Sequence, residues 1–283
     1  MAPPAVLSIA GSDSGGGAGI QADLKAFARC GVHGMTAITA LTAQSTTGVT
    51  GIHPVPPEFI IEQVRIVAED IGVDAVKIGM LGTAETVRAV KHALQALDGV
   101  PIVIDPVMVS ESGAVLLDDE ARQAIVTELL PLATVITPNL LEARVLGHDE
   151  GDIEDLARAL HALGPEYVVI TGGHRDVITD IFFDGTTIHE IPGERHPDGA
   201  AHGSGCTHSS TLAAHLALGY TPLQAAQQAK RIASEAVRDG LREIGRGAGP
   251  VNVLGGAVTP LTDRRIGATD PSGRSSARDI MRP

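Results

Sequence analysis

The sequence predicts an α/β fold with a mostly parallel central sheet, helices on both faces and an antiparallel hairpin late in the chain. Short apolar, β-branched runs alternate with amphipathic helical segments along the 283 residues. Asp184-Gly185 stands between two extended runs, as in a hairpin turn. Two helical segments then follow without a strand between them. A (β/α)₈ barrel is the rival architecture, but the hairpin and the helix pair favour an open sheet.

The strands are predicted from short runs that are apolar and rich in β-branched residues. The first follows the N-terminus directly, and a loop of sequence GSDSGGGAG separates it from the first helix. The predicted strands are 6–9, 35–42, 48–53 (a short extra one), 74–78, 101–104, 135–137 and 167–171, followed by the hairpin in VITDIFFDGTTIHEI.

The helices are predicted from apolar residues that recur with a period of about 3.6, and from residues typical of helix ends. Gly31 ends the first helix, and Thr221 with Pro222 begins the last. The predicted helices are 20–29, the segment EFIIEQVRIVAEDI, 83–97, 118–130, one that opens at Pro138-Asn139, 153–163, one after Gly205 and one from 222.

The organisation expected is one large domain over residues 1–255. From Gly256 the chain reads GGAVTPLTDRRIGATDPSGRSSARDIMRP, which is polar and without sustained periodicity. Such a composition cannot bury enough apolar surface to order itself, so a disordered tail over 256–283 is predicted.

Composition narrows the classes of partner. Aromatic residues are scarce, with no Trp, two Tyr and four Phe, which argues against stacking on single-stranded nucleic acid. A net charge of −13 repels nucleic acid and anionic membranes, so a small-molecule phosphate fits better. The two cysteines, the absence of an apolar run of transmembrane length and a start without a basic segment lead us to expect a cytoplasmic protein.

The stretch Gly203-Ser204-Gly205-Cys206 carries the most chemical information. Glycines before an apolar helix let successive backbone N–H groups converge, and the helix adds the positive end of its dipole. We expect an anion hole here, with the thiolate of Cys206 favoured by the same field so that Cys206 can take a proton from a hydroxyl. The same letters also describe a turn before a buried helix that carries a small buried thiol.

Two acids and one amide are expected to face the same crevice. Asp105 directly follows a strand, and Glu142 lies one helical turn after Asn139. Such carboxylates present Mg²⁺ to nucleotide phosphates, although Asp105 before proline is also a turn former and Glu142 also suits an exposed helix position. Gln44 ends the second strand, and its amide matches an aminopyrimidine edge. Asp23 is available as an acceptor in the first helix, or is simply solvated there.

Other motifs are weaker. The letters from Gly17 to Ala22 match a GxGxxA dinucleotide fingerprint, but they lie several residues beyond the strand end and lack the later acidic residue. No GxxxxGK[ST] occurs, which excludes a P-loop nucleoside triphosphatase. His208 and His215 lie two turns apart on one helix without any zinc-type spacing, and both are interpreted as structural.

Taken together, the motifs resemble the hydroxymethylpyrimidine and phosphomethylpyrimidine kinases of thiamine biosynthesis, within the ribokinase-like superfamily. The resemblance spans about residues 5 to 254 and rests on IAGSDSGGGAGIQADLKAF, ITALTAQST, KIGMLG, IDPVM, TPNLLEA, TGGH, HGSGCTHSS and GRGAGPVN. It implies an ATP- and Mg²⁺-dependent kinase that phosphorylates 4-amino-5-hydroxymethyl-2-methylpyrimidine and then its monophosphate, commonly as a homodimer.

The resemblance also implies roles for individual residues. Cys206 is the implied general base, in the anion hole formed by Gly203 and Gly205, with Mg²⁺ near Asp105 and Glu142. Gln44 is implied to bind the pyrimidine edge. The residues implied to line the substrate pocket are Asp23, Gly11, Met80 and Val107, and those implied near the nucleotide are Lys230, Thr171 and Asn139.

Two departures from the family pattern stand out. Thr171 precedes Gly172-Gly173 where some members carry lysine, so a charge that would neutralise phosphate is missing there. The closing GAGPVN also lacks a histidine that is frequent in that loop. A pyridoxal kinase of the same superfamily is the alternative in chemistry, and a non-catalytic sensor of the pyrimidine is the alternative in class.

Overall fold

The structure, a computed structural model, describes residues 2–109, 113, 116–148, 151–172 and 178–256. Within them nine strands form one sheet. They are β1 (Ala5–Asp13), β2 (His33–Ser45), β3 (Gly48–Pro54), β4 (Ala75–Ile78), β5 (Ile102–Ile104), β6 (Val135–Ile136), β7 (Tyr167–Ile170), β8 (Asp180–Phe183) and β9 (Ile188–Ile191).

The sheet is open, and its strand order is β3-β2-β1-β4-β5-β6-β7-β8-β9. Strands β2, β1, β4, β5, β6 and β7 run parallel. Strands β8 and β9 add the predicted antiparallel hairpin at one edge, and β3 pairs antiparallel with β2 at the other. The α/β prediction with a late hairpin is therefore confirmed, and the barrel alternative is wrong. The strand predicted over 48–53 is β3, and only its antiparallel pairing with β2 is an addition to the prediction.

Eight α-helices lie in the described ranges and follow the predicted order. They are α1 (Gly19–Cys30), α2 (Pro57–Asp70), α3 (Ala84–Leu94), α4 (Asp119–Ala124), α5 (Leu140–Gly147), α6 (Ile153–His161), α7 (Ser204–Ala217) and α8 (Pro222–Arg238). Gly31 ends α1 at φ 75°, and Thr221 begins α8 with a capping box, as the sequence predicts.

One helix differs from its prediction. The segment predicted as helical over 118–130 is α-helical only to Ala124 and continues as a π-turn over Ile125–Leu129 and a 3₁₀ turn over Leu130–Leu132. Pro131 has no N–H to donate and its ring clashes with the carbonyl four residues earlier, so the regular helix cannot continue there.

Helices cover both faces of the sheet. One apolar core packs α2 to α6 against it, and a second core packs α1, α7 and α8 against the other face. Both are built mainly from Ala, Val, Leu and Ile, with Phe27 and Phe182 the largest side chains of the second core. This burial on both faces leaves the carboxyl ends of the parallel strands as the open edge where a ligand can bind.

The prediction that the domain ends at residue 255 stays a prediction, and the predicted disordered tail lies outside the described residues except for Gly256. Among the helices that the structure describes, none has both the length and the apolarity needed to cross a bilayer.

Candidate active site

A cleft of about 820 Å³ opens at the carboxyl ends of the parallel strands. Residues that follow five different strands line it, as expected for an open α/β sheet. The predicted site residues in its wall are Gly11, Gln44, Met80, Asp105, Val107, Asn139, Glu142, Thr171, Gly203, Gly205, Cys206 and Lys230. The fold thus brings together residues from widely separated parts of the chain.

The predicted anion hole lies at the start of α7. Gly203 is the N-cap at φ 86°, no side chain caps the helix, and Gly203 to Cys206 all line the cleft. The leading N–H groups of a helix have no partner within it, so they and the helix dipole suit a phosphate. Glycine is required at position 203 for two reasons. Its φ is left-handed, and a Cβ there would overlap the carbonyl oxygen of Gly17.

A buried pair holds the glycine loop (residues 15–19) against this helix start. Asp13 accepts hydrogen bonds from the N–H groups of Gly15, Gly17 and Ala18 at 2.7–3.0 Å. His202, next to the anion hole, lies 3.1 Å from Asp13 through its Nε2. Burial raises the pKa of Asp13, but the hydrogen bond with His202 and those from the loop outweigh it, so the pKa lies below its ordinary value.

Beneath the anion hole lies a charged network that the sequence prediction missed. Lys77 on β4 is fully buried, and its Nζ lies 3.0 Å and 3.2 Å from the two carboxylate oxygens of Asp23. It is also 3.9 Å from Asp105. Ser8 and Ser210 donate to Asp23 at 2.6 Å and 2.7 Å. Burial alone lowers the pKa of Lys77, but the surrounding negative groups outweigh it and raise the pKa.

This network corrects the role expected for Asp23. Its side chain is fully buried and is not part of the cleft wall, so Asp23 supports the floor of the site and does not line the substrate pocket. The available signal was Lys77, a lysine inside the otherwise apolar strand AVKI. A buried lysine requires a carboxylate partner, and Asp23 is that partner.

The thiolate expected at Cys206 is also corrected. Burial, together with the carboxylates of Asp105 and Asp23, raises the pKa of Cys206 to about 12, although Lys77 acts in the opposite direction. The ligand-free site therefore holds a thiol. The glycine-helix pattern indicated the favourable helix field, but it carried no information about the two acids that the fold places behind the thiol.

Asp105 and Glu142 line the same cleft and interact electrostatically. Burial, and then the charge of Asp105, raises the pKa of Glu142 to about 8. Burial likewise raises the pKa of Asp105, although Lys77 opposes it. Glu142 accepts from the backbone N–H of Asn139 at 3.0 Å, and Asn139 caps α5 in return. Two buried acids that resist carrying charge together suit a divalent cation, so these residues fit the predicted Mg²⁺.

No group of three or more His, Cys, Asp or Glu side chains with metal-site geometry occurs among the described residues. A two-carboxylate arrangement of this kind matches Mg²⁺, which usually keeps several waters and shares its coordination with substrate phosphates. The structure thus offers a place for the cation without a closed protein cage.

The predicted substrate wall is formed by Gly11, Gln44, Met80 and Val107. The Gln44 Oε1 lies 3.1 Å from the Thr42 hydroxyl, which itself donates to the Ser12 carbonyl at 2.8 Å, so the Gln44 amide keeps hydrogen-bonding capacity for a ligand. Gly11 packs tightly on Met80, because a Cβ at Gly11 would lie 3.1 Å from the Met80 sulfur. The wall is apolar with one amide, as expected for a small heteroaromatic ring.

Lys230 and Thr171 line another part of the cleft. The Lys230 Nζ donates to Asp180 at 2.6 Å and to the carbonyl of Gly172 at 3.1 Å. The Lys230 ammonium therefore lies beside Gly172, the residue after Thr171. Position 171 is the one at which some members of the family carry lysine. Thr171 donates to the Pro138 carbonyl through its own N–H at 2.8 Å and carries no charge.

The interpretation of His208 and His215 as structural residues, not metal ligands, stays a prediction. His208 lines the cleft, and its Nε2 lies 3.0 Å from Asp180. His215 fits the structural interpretation, because its Nδ1 lies 2.8 Å from the Thr211 carbonyl and it is not part of the cleft wall. The sequence offered no signal that separates them, since Asp180 comes from the distant hairpin.

The fold and the cleft define a ribokinase-like phosphotransferase. Its solved relatives include the Staphylococcus aureus pyridoxal kinase in complex with ADP, which is 34% identical, has a TM-score of 0.82 and aligns over 90% of this chain and 94% of that one. The phosphomethylpyrimidine kinase of Clostridium difficile is 38% identical with a TM-score of 0.73, over 83% of this chain and 99% of that one.

A family model described as phosphomethylpyrimidine kinase matches residues 13–252. The hydroxymethylpyrimidine/phosphomethylpyrimidine kinase of Mycobacterium tuberculosis is 45% identical over 262 residues, which is 90% of this chain and 95% of that protein. The chain belongs to the phosphomethylpyrimidine kinase family. The resemblance and the fold predicted from the sequence are therefore confirmed.

Proposed function

We propose that the protein uses ATP to phosphorylate 4-amino-5-hydroxymethyl-2-methylpyrimidine, and then its monophosphate to the diphosphate, in thiamine diphosphate biosynthesis. The observation that carries the proposal is the sharing of one cleft by Gln44, an apolar ring-sized wall and the anion hole at Cys206. Together they can hold an aminopyrimidine at one side and a phosphoryl group at the other.

The nucleotide occupies the part of the cleft around Lys230, Thr171 and Asn139. ADP in the S. aureus relative supports ATP as the phosphoryl donor. Lys230 contributes a positive charge toward the phosphates, and the start of α7 contributes N–H groups to the transferring phosphoryl group. Asp105 and Glu142 would hold Mg²⁺, which supplies neutralisation of phosphate charge and of the two acids.

Cys206 is the general base for the hydroxyl of the pyrimidine in the first step, and for the phosphate that accepts the phosphoryl group in the second step. Phosphoryl transfer passes through a loose transition state, so the acceptor loses its proton late. Burial contributes most to the raised pKa of the thiol; Asp105 raises it further, whereas Lys77 lowers it. The charge of the Asp105 carboxylate would be neutralised by Mg²⁺ held there. The effect of Lys77 on the pKa of the thiol would then be less opposed, which favours a Cys206 thiolate as proton acceptor in the loaded cleft.

Lys230 supplies positive charge to the part of the cleft where residue 171 carries none, since its ammonium lies 3.1 Å from the carbonyl of Gly172. We therefore propose that both steps occur.

Pyridoxal phosphorylation is the second candidate. The similarity to the S. aureus pyridoxal kinase favours it, because pyridoxal also carries a hydroxymethyl group on a substituted nitrogen ring. The family model and the M. tuberculosis relative favour the pyrimidine.

The test supplies the pyrimidine, its monophosphate and pyridoxal separately with ATP and Mg²⁺, and resolves the products by mass. Conversion of the monophosphate to the diphosphate is the expected result. Turnover of pyridoxal alone contradicts the substrate while keeping the kinase chemistry.

A sensor is separated from an enzyme by the variant Cys206→Ala. The enzyme loses turnover in this variant while it retains ligand binding by calorimetry. A sensor binds the pyrimidine, shows no turnover before the change and none after it.

We also propose a homodimer that acts in the cytoplasm, with residues 1–255 as one kinase domain.

The surface proposed for the dimer carries exposed apolar side chains. They lie on both faces of the β2–β3 hairpin, where Leu41 is 47% and Ile52 is 46% exposed, and on neighbouring α2, where Phe59 is 57% exposed. A second copy would cover them. Light scattering should give twice the chain mass for the wild type and the monomer mass for Ile52→Asp. A monomeric wild type would contradict the proposal.

A further inference from the structure

Asp180 joins three groups of the cleft that come from different elements. Its Oδ1 accepts from the backbone N–H of Gly172 at 2.7 Å and from the Nζ of Lys230 at 2.6 Å. Its Oδ2 lies 3.0 Å from the Nε2 of His208. Asp180 is fully buried at the start of β8, so these contacts replace its solvent.

The protonation of this cluster follows from its contacts. Burial raises the pKa of Asp180, but the hydrogen bond and charge of His208 and the charge of Lys230 outweigh it, so its pKa lies below the ordinary value. An ionised carboxylate only accepts, so the Nε2 of His208 carries a proton. The Nδ1 of His208 is buried and has no hydrogen-bond partner among the described residues. The bond to Asp180 is therefore the one hydrogen bond that orients this ring within the described part of the chain.

We propose that His208 is a positioning residue that, through Asp180, holds Lys230 toward the nucleotide phosphates. This inference rests on the proposed function, because it assigns the phosphate end of the cleft to ATP. It adds a buried histidine and a buried aspartate that position a donor-binding lysine, and neither was expected from the sequence to do so.

The physical reason is competition for one carboxylate. Asp180 has two oxygens, and His208 satisfies Oδ2, so Lys230 bonds only Oδ1 and keeps a third N–H available beyond its bond to Gly172. Without the imidazole donor, Oδ2 is buried and unpaired. Lys230 is then drawn onto both oxygens, which turns its ammonium away from the cleft and neutralises it more completely.

The test measures ATP binding by calorimetry and, separately, the KM for ATP and for the pyrimidine. His208→Leu should weaken ATP binding and raise the KM for ATP about tenfold, since a charge-assisted hydrogen bond is lost, with the KM for the pyrimidine unchanged. His208→Gln places an amide donor near the position of Nε2 and should restore ATP affinity to within about twofold of the wild type.

The matched control is His215→Leu, which removes a buried histidine two turns further along α7 outside the cleft wall. It should leave ATP affinity unchanged. In a Lys230→Met background, adding His208→Leu should cause no further loss, because both changes act on one group.

Unchanged ATP affinity in His208→Leu, or an additive loss in the double variant, overturns the inference. Wild-type protein that binds ATP but transfers no phosphate contradicts the proposed function only, because the binding measurement still tests His208. Equal loss in His208→Gln and His208→Leu would mean that ring packing, not the hydrogen bond to Asp180, matters, and this also overturns the inference.

Discussion

The Nζ of Lys77 lies 3.0 Å from the Oδ1 of Asp23, and neither side chain has any exposed surface. The pair joins β4 to α1 beneath the anion hole, where Lys77 also faces Asp105. Because the lysine is buried on a strand of the sheet, its charge is held beneath the start of α7 and acts on the Cys206 thiol. This arrangement places a preorganised charge beneath the site, and that charge does not have to reorient as solvent molecules would.

Removing one member of this pair should be costly. Asp23→Asn leaves the buried ammonium of Lys77 without its main partner, which typically destabilises a protein by about 3–5 kcal/mol. Urea unfolding followed by circular dichroism measures the loss. Glu154→Gln is the control, because Glu154 pairs with Arg158 on the surface with 52% of each side chain exposed. The free energy of unfolding of the control should be indistinguishable from that of wild type. Equal losses of stability in the two variants would contradict the prediction.

Glu142 should make the stability of the ligand-free protein depend on pH. Its pKa is raised from 4.5 to about 8, so between these values the folded state holds a proton that the unfolded state releases. Stability contributed by this group therefore falls as pH rises from 5 to 8, by up to about 1.4 kcal/mol per pH unit. Glu142→Gln does not ionise, so its stability relative to wild type should rise over this range and level off above pH 8.

Unfolding curves at pH 5, 6, 7, 8 and 9 for the two proteins provide the test. A stability difference that does not change with pH would show that Glu142 titrates normally. Adding Mg²⁺ at pH 8 to 9 should stabilise wild type more than Glu142→Gln, because only wild type offers a second carboxylate beside Asp105. Equal stabilisation of both proteins would remove Glu142 from the proposed cation site.

The sequence predicted the fold because its signals were local. Caps such as Thr221 and Gly31 satisfy backbone groups within a few residues, so they act the same way in any fold. Departures arose where a feature depends on distant chain. The antiparallel pairing of β3 with β2 is instead a local feature that the prediction left open, since only two residues connect the two strands.

The site residues show the same distinction between features that depend on neighbouring residues and features that depend on distant ones. Gly203 and Cys206 were recognisable because a turn followed by a helix is readable from consecutive residues. Asp23 was misplaced because its partner Lys77 lies 54 positions away, and only the sheet order brings them together. The raised pKa of Cys206 was not foreseen for a related reason, since it comes first from burial in the fold and then from acids on other elements.

Cys206 should react slowly with iodoacetamide in the ligand-free protein. With a pKa of about 12, its thiolate fraction at pH 7 to 9 rises tenfold per pH unit without a plateau, and at pH 8 it is roughly 10³-fold below that of an ordinary cysteine. Cys30→Ser protein isolates the reaction, which mass spectrometry follows. A rate that levels off between pH 6 and 8 would mean a stabilised thiolate and would contradict the raised pKa.

The two glycines of the anion hole should respond differently to alanine. In Gly203→Ala the new Cβ meets the Gly17 carbonyl at a left-handed φ of 86°, so both stability and turnover should fall. In Gly205→Ala the Cβ meets nothing within 4 Å, and alanine favours a helix by up to about 1 kcal/mol over glycine, so the fold should gain stability. Because Gly205 lines the cleft, its methyl group would displace phosphate from the helix start, and turnover should fall at least about tenfold. Thermal unfolding and ATP turnover measured on both variants check this, and Gly205→Ala with full turnover would show that phosphate does not approach the first turn of α7.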